Sequence, residues 1–391
     1  MLNRFVIAGL AAAGLAIAPI ASGGVSAQPP QQSHGYAHVC ASPAQGSAAC
    51  AAILRTDVNH SATVNPVGYH PADLQSAYSL ASAAAANGGN QTVAIVDAYN
   101  DPNAESDLGT YRANFGLPIC TTSNGCFKKV NQNGGTSSPR SNGGWSQEIS
   151  LDLDMVSAIC PNCHILLVEA SSASYSNLGA AVNEAAKLGA TEISNSYGGG
   201  DGSDTTYPYY NHPGVAITAS SGDNGYGTEF PASSRYVTAA GGTSLQRSGN
   251  TRGWSETAWS GAGSGCSSYN PQPSWQASLT TGCSNRAEAD VSADADPNTG
   301  VSVYDSYCYQ GYCGWLEFGG TSVASPIIAS VYALAGNASS VNYGGYPYGH
   351  TAGLNDVTSG SNGSCGVPLC TARIGWDGPT GLGTPQGTAA F

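Results

Sequence analysis

Glu148 and Asp152 stand four positions apart in Trp145-Ser146-Gln147-Glu148-Ile149-Ser150-Leu151-Asp152. A helix from Trp145 to Ala158 therefore puts both carboxyls on one face, one turn apart. In water such a pair repels mildly. Ile149, Leu151, Leu153, Met155 and Val156 make the segment apolar on most sides, so at least one carboxyl is expected to be partly buried and the pair to share a proton. A second pattern is Gly319-Gly320-Thr321-Ser322-Val323-Ala324-Ser325-Pro326. It follows a strand-like Trp315 to Phe318 and opens a helix from Ser322 to Leu334. Ser322 thus sits at a helix N-terminus, as a cap or as a nucleophile beside amides that stabilise an anion. A third acid, Asp223 in Ser220-Ser221-Gly222-Asp223-Asn224-Gly225, follows the apolar strand Val215 to Ala219. Alone it reads as a turn aspartate, yet strand C-termini of parallel sheets are where sites assemble.

A serine nucleophile needs a base. The seven histidines are at 34, 38, 60, 70, 164, 212 and 350. Four precede the expected folded region, His164 begins a buried strand, and His212 and His350 lie in loops rich in Tyr, Pro and Gly. Carboxylates are the better candidates. The elements that must carry them alternate. Thr92 to Val96 reads as a strand, and Asn100-Asp101-Pro102 starts a helix to about Phe115. A strand follows at 164 to 168 and a helix from Tyr175 to Leu188. Further strands are expected near 192 to 196, 214 to 219 and 236 to 240. Strands alternating with helices indicate parallel βαβ units. The Gly-, Ser- and Asn-rich region 245 to 318 is expected to form long surface loops.

The chain has 391 residues, 41% of them hydrophobic and 9% charged, with 12 Lys plus Arg against 25 Asp plus Glu and a net charge of -13. So acidic a chain lacks the basic face that nucleic acid or an anionic membrane requires. Few cations are left unbalanced in acid, and a monomer free in the medium is expected. Residues 1 to 27 read as a secretory signal, with Arg4, the apolar Phe5 to Ala18 and a Val25-Ser26-Ala27 cleavage site. The 12 cysteines fall into six close neighbours, 40/50, 120/126, 160/163, 266/283, 308/313 and 365/370. In an exported chain, nearest-neighbour disulfides are expected, although spacing does not fix connectivity. Cys160-Pro161-Asn162-Cys163-His164 also matches a haem-attachment pattern, but His164 opens the apolar run Ile165 to Val168, and a strand entered through a disulfide turn is the better reading.

Together these residues resemble the sedolisin family, secreted serine-carboxyl peptidases that share the subtilisin fold. Glu148-x-x-x-Asp152, Ser322 in Gly-Thr-Ser-x-x-x-Pro and Asp223 in Ser-Gly-Asp are similar to the family's acids, nucleophile and oxyanion acid. Ser196, Tyr197 and Gly198 in Ser194-Asn195-Ser196-Tyr197-Gly198 resemble its peptide-binding strand. Glu256 to Trp259, Pro273 to Gln276 and Asp290 to Pro297 are further matches. Asn355 to Gly360 and Gly375-Trp376-Asp377 resemble its calcium site, which implies Ca2+ held by the carboxylates of Asp356 and Asp377 and the carbonyls of Val357, Arg373 and Gly375. The resemblance runs from about His70 to the C-terminus. It implies an α/β, subtilisin-like three-layer fold with a central, mostly parallel β-sheet flanked by helices. The organisation expected is a signal at 1 to 27, a tail or short propeptide-like segment at 28 to 70, and a peptidase domain at 71 to 391. The family's large prodomain has no room in 28 to about 70, so latency is expected to work differently.

The activity implied is hydrolysis of polypeptides in acid, by endopeptidase or tripeptidyl-peptidase action. Asp97, ending Val93 to Val96, is a secondary candidate near the carboxyl pair. Competing readings are a binding protein of the same fold using Tyr207 to Tyr210 and Tyr343 to Tyr348, and a subtilisin-like enzyme pairing Asp97 with a distant histidine.

Overall fold

Seven consecutive residues, Thr92 to Ala98, pair in parallel with His164 to Ala170, and the pattern behind both runs is a β-branched and apolar stretch buried on both faces. The computed structural model that shows this describes residues 1–2, 35–58 and 65–391. All but the first two residues of the proposed signal lie outside the described residues, as do His34 and His60.

In chain order the described elements begin with three short strands, β1 (Tyr36–His38), β2 (Ala49–Cys50) and β3 (Ile53–Arg55). Helices α1 (Pro71–Ala77) and α2 (Ala81–Ala86) follow. The alternating part then runs β4 (Thr92–Ala98), α3 (Ala104–Asn114), β5 (Phe127–Asn131), α4 (Gly143–Ile159), β6 (His164–Ala170), α5 (Tyr175–Lys187), β7 (Glu192–Asn195), β8 (Tyr197–Gly200) and β9 (Ala216–Ser220). The rest is β10 (Glu229–Phe230), β11 (Thr238–Arg247), β12 (Trp254–Ala258), β13 (Gly265–Pro271), β14 (Asn285–Glu288), β15 (Val291–Asp294), β16 (Val301–Tyr309), β17 (Tyr312–Gly319) and α6 (Thr321–Ala335), followed by turns and short strands.

The main sheet has eight strands in the order β12-β11-β9-β7-β4-β6-β5, with β15 also paired to β11. Every pairing in it is parallel except β11 with β12. Helix α5 packs on β4, β6 and β7, while α6 packs on β7, β9, β11 and β15 and against α4. This is the expected subtilisin-like α/β fold, a mostly parallel sheet flanked by helices.

Helix α4 is buried along nearly its whole length. A helix apolar all round belongs inside a large core, and this one carries Glu148, Asp152 and Asp154 into it. Asn142 caps its start, accepting the Trp145 amide at 3.2 Å. Helix α6 begins after Gly320, whose φ of 95° is open to glycine and strained for other residues. It ends at Gly336 in the left-handed conformation.

Two stretches differ from the sequence expectation. The region 245 to 318 is not mainly loop. It holds β12 to β16 and most of β17, because the buried Val301, Val303, Leu316 and Phe318 sit among Gly, Ser and Tyr and hide the alternation. Within the stretch read as a tail, residues 35–58 lie in one compact unit with residues 65–391. There β3 joins β17, and β2 joins β8. The six cysteine pairs are disulfides between nearest neighbours. With Cys160 and Cys163 bonded to each other, neither sulfur is free to attach a haem.

A buried ion pair lies away from the sheet's C-terminal end. Arg286, fully buried, pairs with Asp290 and also donates to the carbonyls of Ser234 and Ala287. Removing one partner strands the other charge in the core. Arg286→Met is expected to cost about 3–5 kcal/mol, read as a lowered melting temperature, and Arg286→Met with Asp290→Leu to recover part of the loss. A single variant as stable as the wild type contradicts this.

Candidate active site

Side-chain hydroxyls pin the first turn of α6 to the C-terminal ends of the central strands. Ser220, the last residue of β9, donates to the Thr321 carbonyl at 2.9 Å, and the Gly222 amide donates to Thr321 Oγ1 at 3.2 Å. Deeper in, Thr218 donates to the Ser325 carbonyl at 3.1 Å, and Ser194 and Ser325 share a hydrogen bond of 2.9 Å. Ser322 is thereby fixed where β7, β9 and α4 meet. Its hydroxyl donates to the Ser196 carbonyl at 3.2 Å.

The same serine loop ties in the carboxyl pair. Ser196 Oγ donates to Asp152 Oδ1 at 2.7 Å, while Asp152 Oδ2 has no partner. Glu148 is fully buried, and neither of its oxygens receives a hydrogen bond of normal geometry. Ser322 nonetheless lies close enough for its hydroxyl to favour the ionised Glu148, against stronger opposing effects. Burial first, then the charges of Asp152 and Asp97, push Glu148 well above the usual carboxylate range. Burial and then Asp97 do the same to Asp152. The expectation that at least one carboxyl would be partly buried understated the case, since both carboxyls are wholly buried.

Asp97 closes the cluster from the end of β4, buried with both oxygens unpartnered and raised by burial and by Glu169. Three carboxyls in mutual electrostatic range, with almost no donors, cannot all ionise. They hold protons in common.

Asp223 meets the start of α6 at Thr321, the residue before Ser322. Its Oδ1 accepts the Thr321 amide at 2.7 Å and the Thr321 hydroxyl at 2.8 Å. Its Oδ2 is buried without a partner, 2.8 Å from where a Cβ on Gly320 would stand. Burial pushes Asp223 up to about 8 despite the two hydrogen bonds to Thr321, which oppose it. At lower pH the carboxyl is neutral and can donate a hydrogen bond.

Four elements thus converge on one cleft: α4 with Glu148 and Asp152, β8 with the preceding Ser196, the turn after β9 with Asp223, and α6 with Ser322. A hydroxyl, a proton-holding carboxyl and a carboxylic acid donor brought together in this way suit acyl transfer. Tyr197 is buried and donates to Asn195 Oδ1 at 2.7 Å, so its backbone rather than its ring meets the cleft.

Sequence reasoning missed three neighbours. Glu229 of β10 lies beside Asp223, pushed up to about 7 by burial and held by Asn224 at 3.3 Å. His38 of β1 and residues 49–51 line a cavity together with Gly198, Asp223, Asn224 and Glu229. A two-residue strand and an Ala-rich segment carry no local signal. Near the C-terminus, Asp356 Oδ2 accepts the Gly375 amide at 3.0 Å, and Asp377 Oδ2 accepts the Arg373 amide at 3.0 Å. Burial, with Asp356 adding to it, pushes Asp377 up to about 7. Among the described residues no group of three or more His, Cys, Asp or Glu side chains could hold a metal ion.

No family model matches the chain. It is 34% identical over 203 residues to sedolisin of Pseudomonas sp. (strain 101), a match covering 44% of this chain and 33% of that protein. It is 29% identical over 367 residues to kumamolisin of Bacillus sp. (strain MN-32), covering 82% of this chain and 63% of the relative. The chain therefore spans between a third and two thirds of the length of these relatives. Among solved structures, Pseudomonas sedolisin complexed with two molecules of pseudo-iodotyrostatin superposes with a TM-score of 0.68 at 25% identity, over 83% of this chain and 96% of that one.

The buried acids set the direction of stability with pH. A carboxyl whose pKa is raised in the folded state favours the folded protein at low pH. That advantage is lost as pH rises from the unfolded value, 3.8 for Asp223, through the folded value of about 8. Glu192, Glu229 and Asp305, raised by burial to about 8, 7 and 8, act in the same sense. The melting temperature is expected to be higher at pH 4 than at pH 7.5. A maximum at neutral pH contradicts this ordering.

Proposed function

From the chain's membership of the sedolisin family, the serine-carboxyl peptidases of subtilisin-like fold, we propose that it is a secreted, acid-active endopeptidase. The observation that carries the proposal is that Ser322 lies beside the buried Glu148 and follows Thr321, which is bonded to the buried Asp223. In the proposed reaction Ser322 Oγ leaves the Ser196 carbonyl, gives its proton to Glu148 and attacks the substrate carbonyl carbon. The reacting form is the one in which the carboxyl cluster has lost one proton, and a carboxylate whose pKa is raised well above the usual range is a stronger base than a free one. Asp152, held by Ser196, takes up or returns the shared proton, and Asp97 keeps the cluster from losing all its protons at once. Asp223 Oδ2, protonated, donates to the oxyanion as it forms. Ser196, Tyr197 and Gly198 offer backbone groups to an extended substrate, so polypeptides are the substrate class.

Oxidised cysteines support secretion, since six disulfides suit an oxidising compartment. No helix among the described residues is long and apolar enough to cross a membrane.

A Ca2+ site near the C-terminus is part of the proposal. Its donors would be the carboxylates of Asp356 and Asp377 and the carbonyls of Val357, Arg373 and Gly375, an oxygen-only set. The donors fit such an ion. The two carboxylates interact electrostatically, and among the described residues the backbone hydrogen bonds of this stretch leave those three carbonyls free. The ion would hold the loop that returns to β15, a structural rather than a chemical task.

Three measurements test the proposal. On a denatured protein substrate at pH 4, Ser322→Ala and Glu148→Ala are each expected to lose nearly all activity while secretion persists. Wild-type turnover by Ser322→Ala overturns the assignment. The wild-type activity is expected to fall as pH rises towards about 8, where Asp223 ionises. Asp223→Asn keeps a donor at every pH, so its remaining activity should persist above that limit, whereas Asp223→Ala should lose about 10²–10³ in kcat relative to the wild type in the acid range. An alkaline limb unchanged in Asp223→Asn contradicts the role given to Asp223. Chelation is expected to lower the melting temperature and added Ca2+ to restore it. No change on chelation rejects the calcium site.

A further inference from the structure

The row of buried acids does not end at Asp97. Strands β4 and β6 pair in parallel with Asp97 opposite Glu169, which puts both side chains on one face of the sheet. Glu169 is buried, and its two oxygens differ. Oε1 accepts the Asp101 amide at 3.0 Å and lies 2.9 Å from Lys129 Nζ. Oε2 is buried without a partner, as are both oxygens of the neighbouring Asp97. Lys129, on β5, also donates to Asn100 Oδ1 and to the Asp101 carbonyl, and 22% of its side chain is exposed. The acids thus run inward from Glu169 through Asp97 and Asp152 to Glu148 beside Ser322, each in electrostatic range of the next, with a half-buried lysine at the outer end.

An ordinary salt bridge does not account for the outer end. Burial pushes Glu169 up to about 7, although Lys129 and the Asp101 amide oppose the shift. In acid the carboxyl therefore keeps its proton. Because Oε1 already faces two donors, that proton sits on Oε2, and the unpartnered acceptors beside it belong to Asp97. The same asymmetry recurs at Asp152, where Ser196 donates to Oδ1 and Oδ2 has no partner. Neutral carboxyls in a row accept at one oxygen and donate from the other. A donor fixed at the outer end therefore gives the row a direction, and the place left without a proton falls at the inner end, on Glu148. The other charges around β6 leave this order intact. Asp101 is itself pushed up to about 6 by burial, and Glu184 and Lys187 of α5 pair with each other.

We propose that Glu169 is a positioning residue for catalysis: held by Lys129 and the Asp101 amide, it donates a hydrogen bond to Asp97 and orders the protons of the row so that Glu148 is the base that meets Ser322. The inference rests on the peptidase reading above. Glu169 touches neither the serine nor the substrate, and its own proton stays in place through the cycle. Its effect is on the row after one proton has been lost, a state that an O–H aimed at it favours.

The test compares the full-length wild type with Glu169→Gln and Glu169→Met on a denatured protein substrate, reading kcat and KM from pH 2 to 7. Glutamine accepts at one atom and donates from the other, as a neutral glutamic acid does, so Glu169→Gln is expected to keep the wild-type profile in acid. Methionine fills the space without donating. The row then holds all its protons to a higher pH, and the acid limb of kcat is expected to move up by about one unit, the equivalent of a tenfold change, with KM unchanged. Melting temperatures check that both variants fold. If Glu169→Gln loses as much as Glu169→Met, Glu169 is only an ion-pair partner and the proposal is wrong. It is equally wrong if Glu169→Met keeps the wild-type profile. Carbon-13 NMR of glutamate carboxyls in the Ser322→Ala protein gives a readout that needs no turnover. The resonance that disappears on adding Glu169→Gln is expected to be that of a neutral acid at pH 5, and an ionised one overturns the proposal. A wild type that cuts no protein at any pH brings down the peptidase reading itself, and this inference with it.

Discussion

The structure depends on carboxyl groups kept out of water without cations to balance them. Asp97, Glu148, Asp152 and Asp223 are all buried, and no salt bridge among the described residues reaches them. An isolated buried carboxylate is so costly that the group keeps its proton instead. Protons thus take the place of counter-ions. That choice makes the interior compatible with acid, and it turns each acid at the cleft into a hydrogen-bond donor as well as a proton store. Arg286 and Asp290 show the other solution, a paired charge, used away from the cleft.

The fold supplies rigidity where these protons must be exchanged. Ser322 is set by a helix start whose first turn is bonded to strand ends through Ser220 and Thr321, and Thr321 also orients Asp223. Ser196 contributes in two ways, its hydroxyl holding Asp152 and its carbonyl parking the Ser322 hydroxyl. Ser322, Asp152 and Asp223 are therefore each positioned by a bonded neighbour, the arrangement a preorganised site requires, while Glu148 is held by the packing of the buried α4.

Much of this was legible in the sequence for definite reasons. The i, i+4 acids of α4 stood out because apolar residues surround them, and the strand preceding Asp223 was a clear apolar run. The short spacings of the cysteines led to the correct pairing, since a close neighbour closes a small loop with little choice of partner. Asp97 was visible as the end of a strand, though its place in the carboxyl cluster follows from the sheet order, which a linear pattern does not contain. Residues 49–55 read as part of a tail in the sequence because Ala49-Cys50-Ala51-Ala52 has no periodicity of its own. They are strands only because β8 and β17 present edges to them. The strands between 245 and 318 were hidden likewise, with Gly and Ser at positions where the partner strand, not the side chain, specifies the conformation. Glu229 had no local signal and becomes notable only beside Asp223.

The most direct test is a carbon-13 NMR titration of aspartate carboxyl groups in the Ser322→Ala protein, with Asp223→Asn identifying the Asp223 resonance. The account predicts that this carboxyl remains protonated through the acid range and titrates with a midpoint near 8. A midpoint close to the ordinary aspartate value of 3.8 would show an ionised group at the start of α6 and would contradict the account.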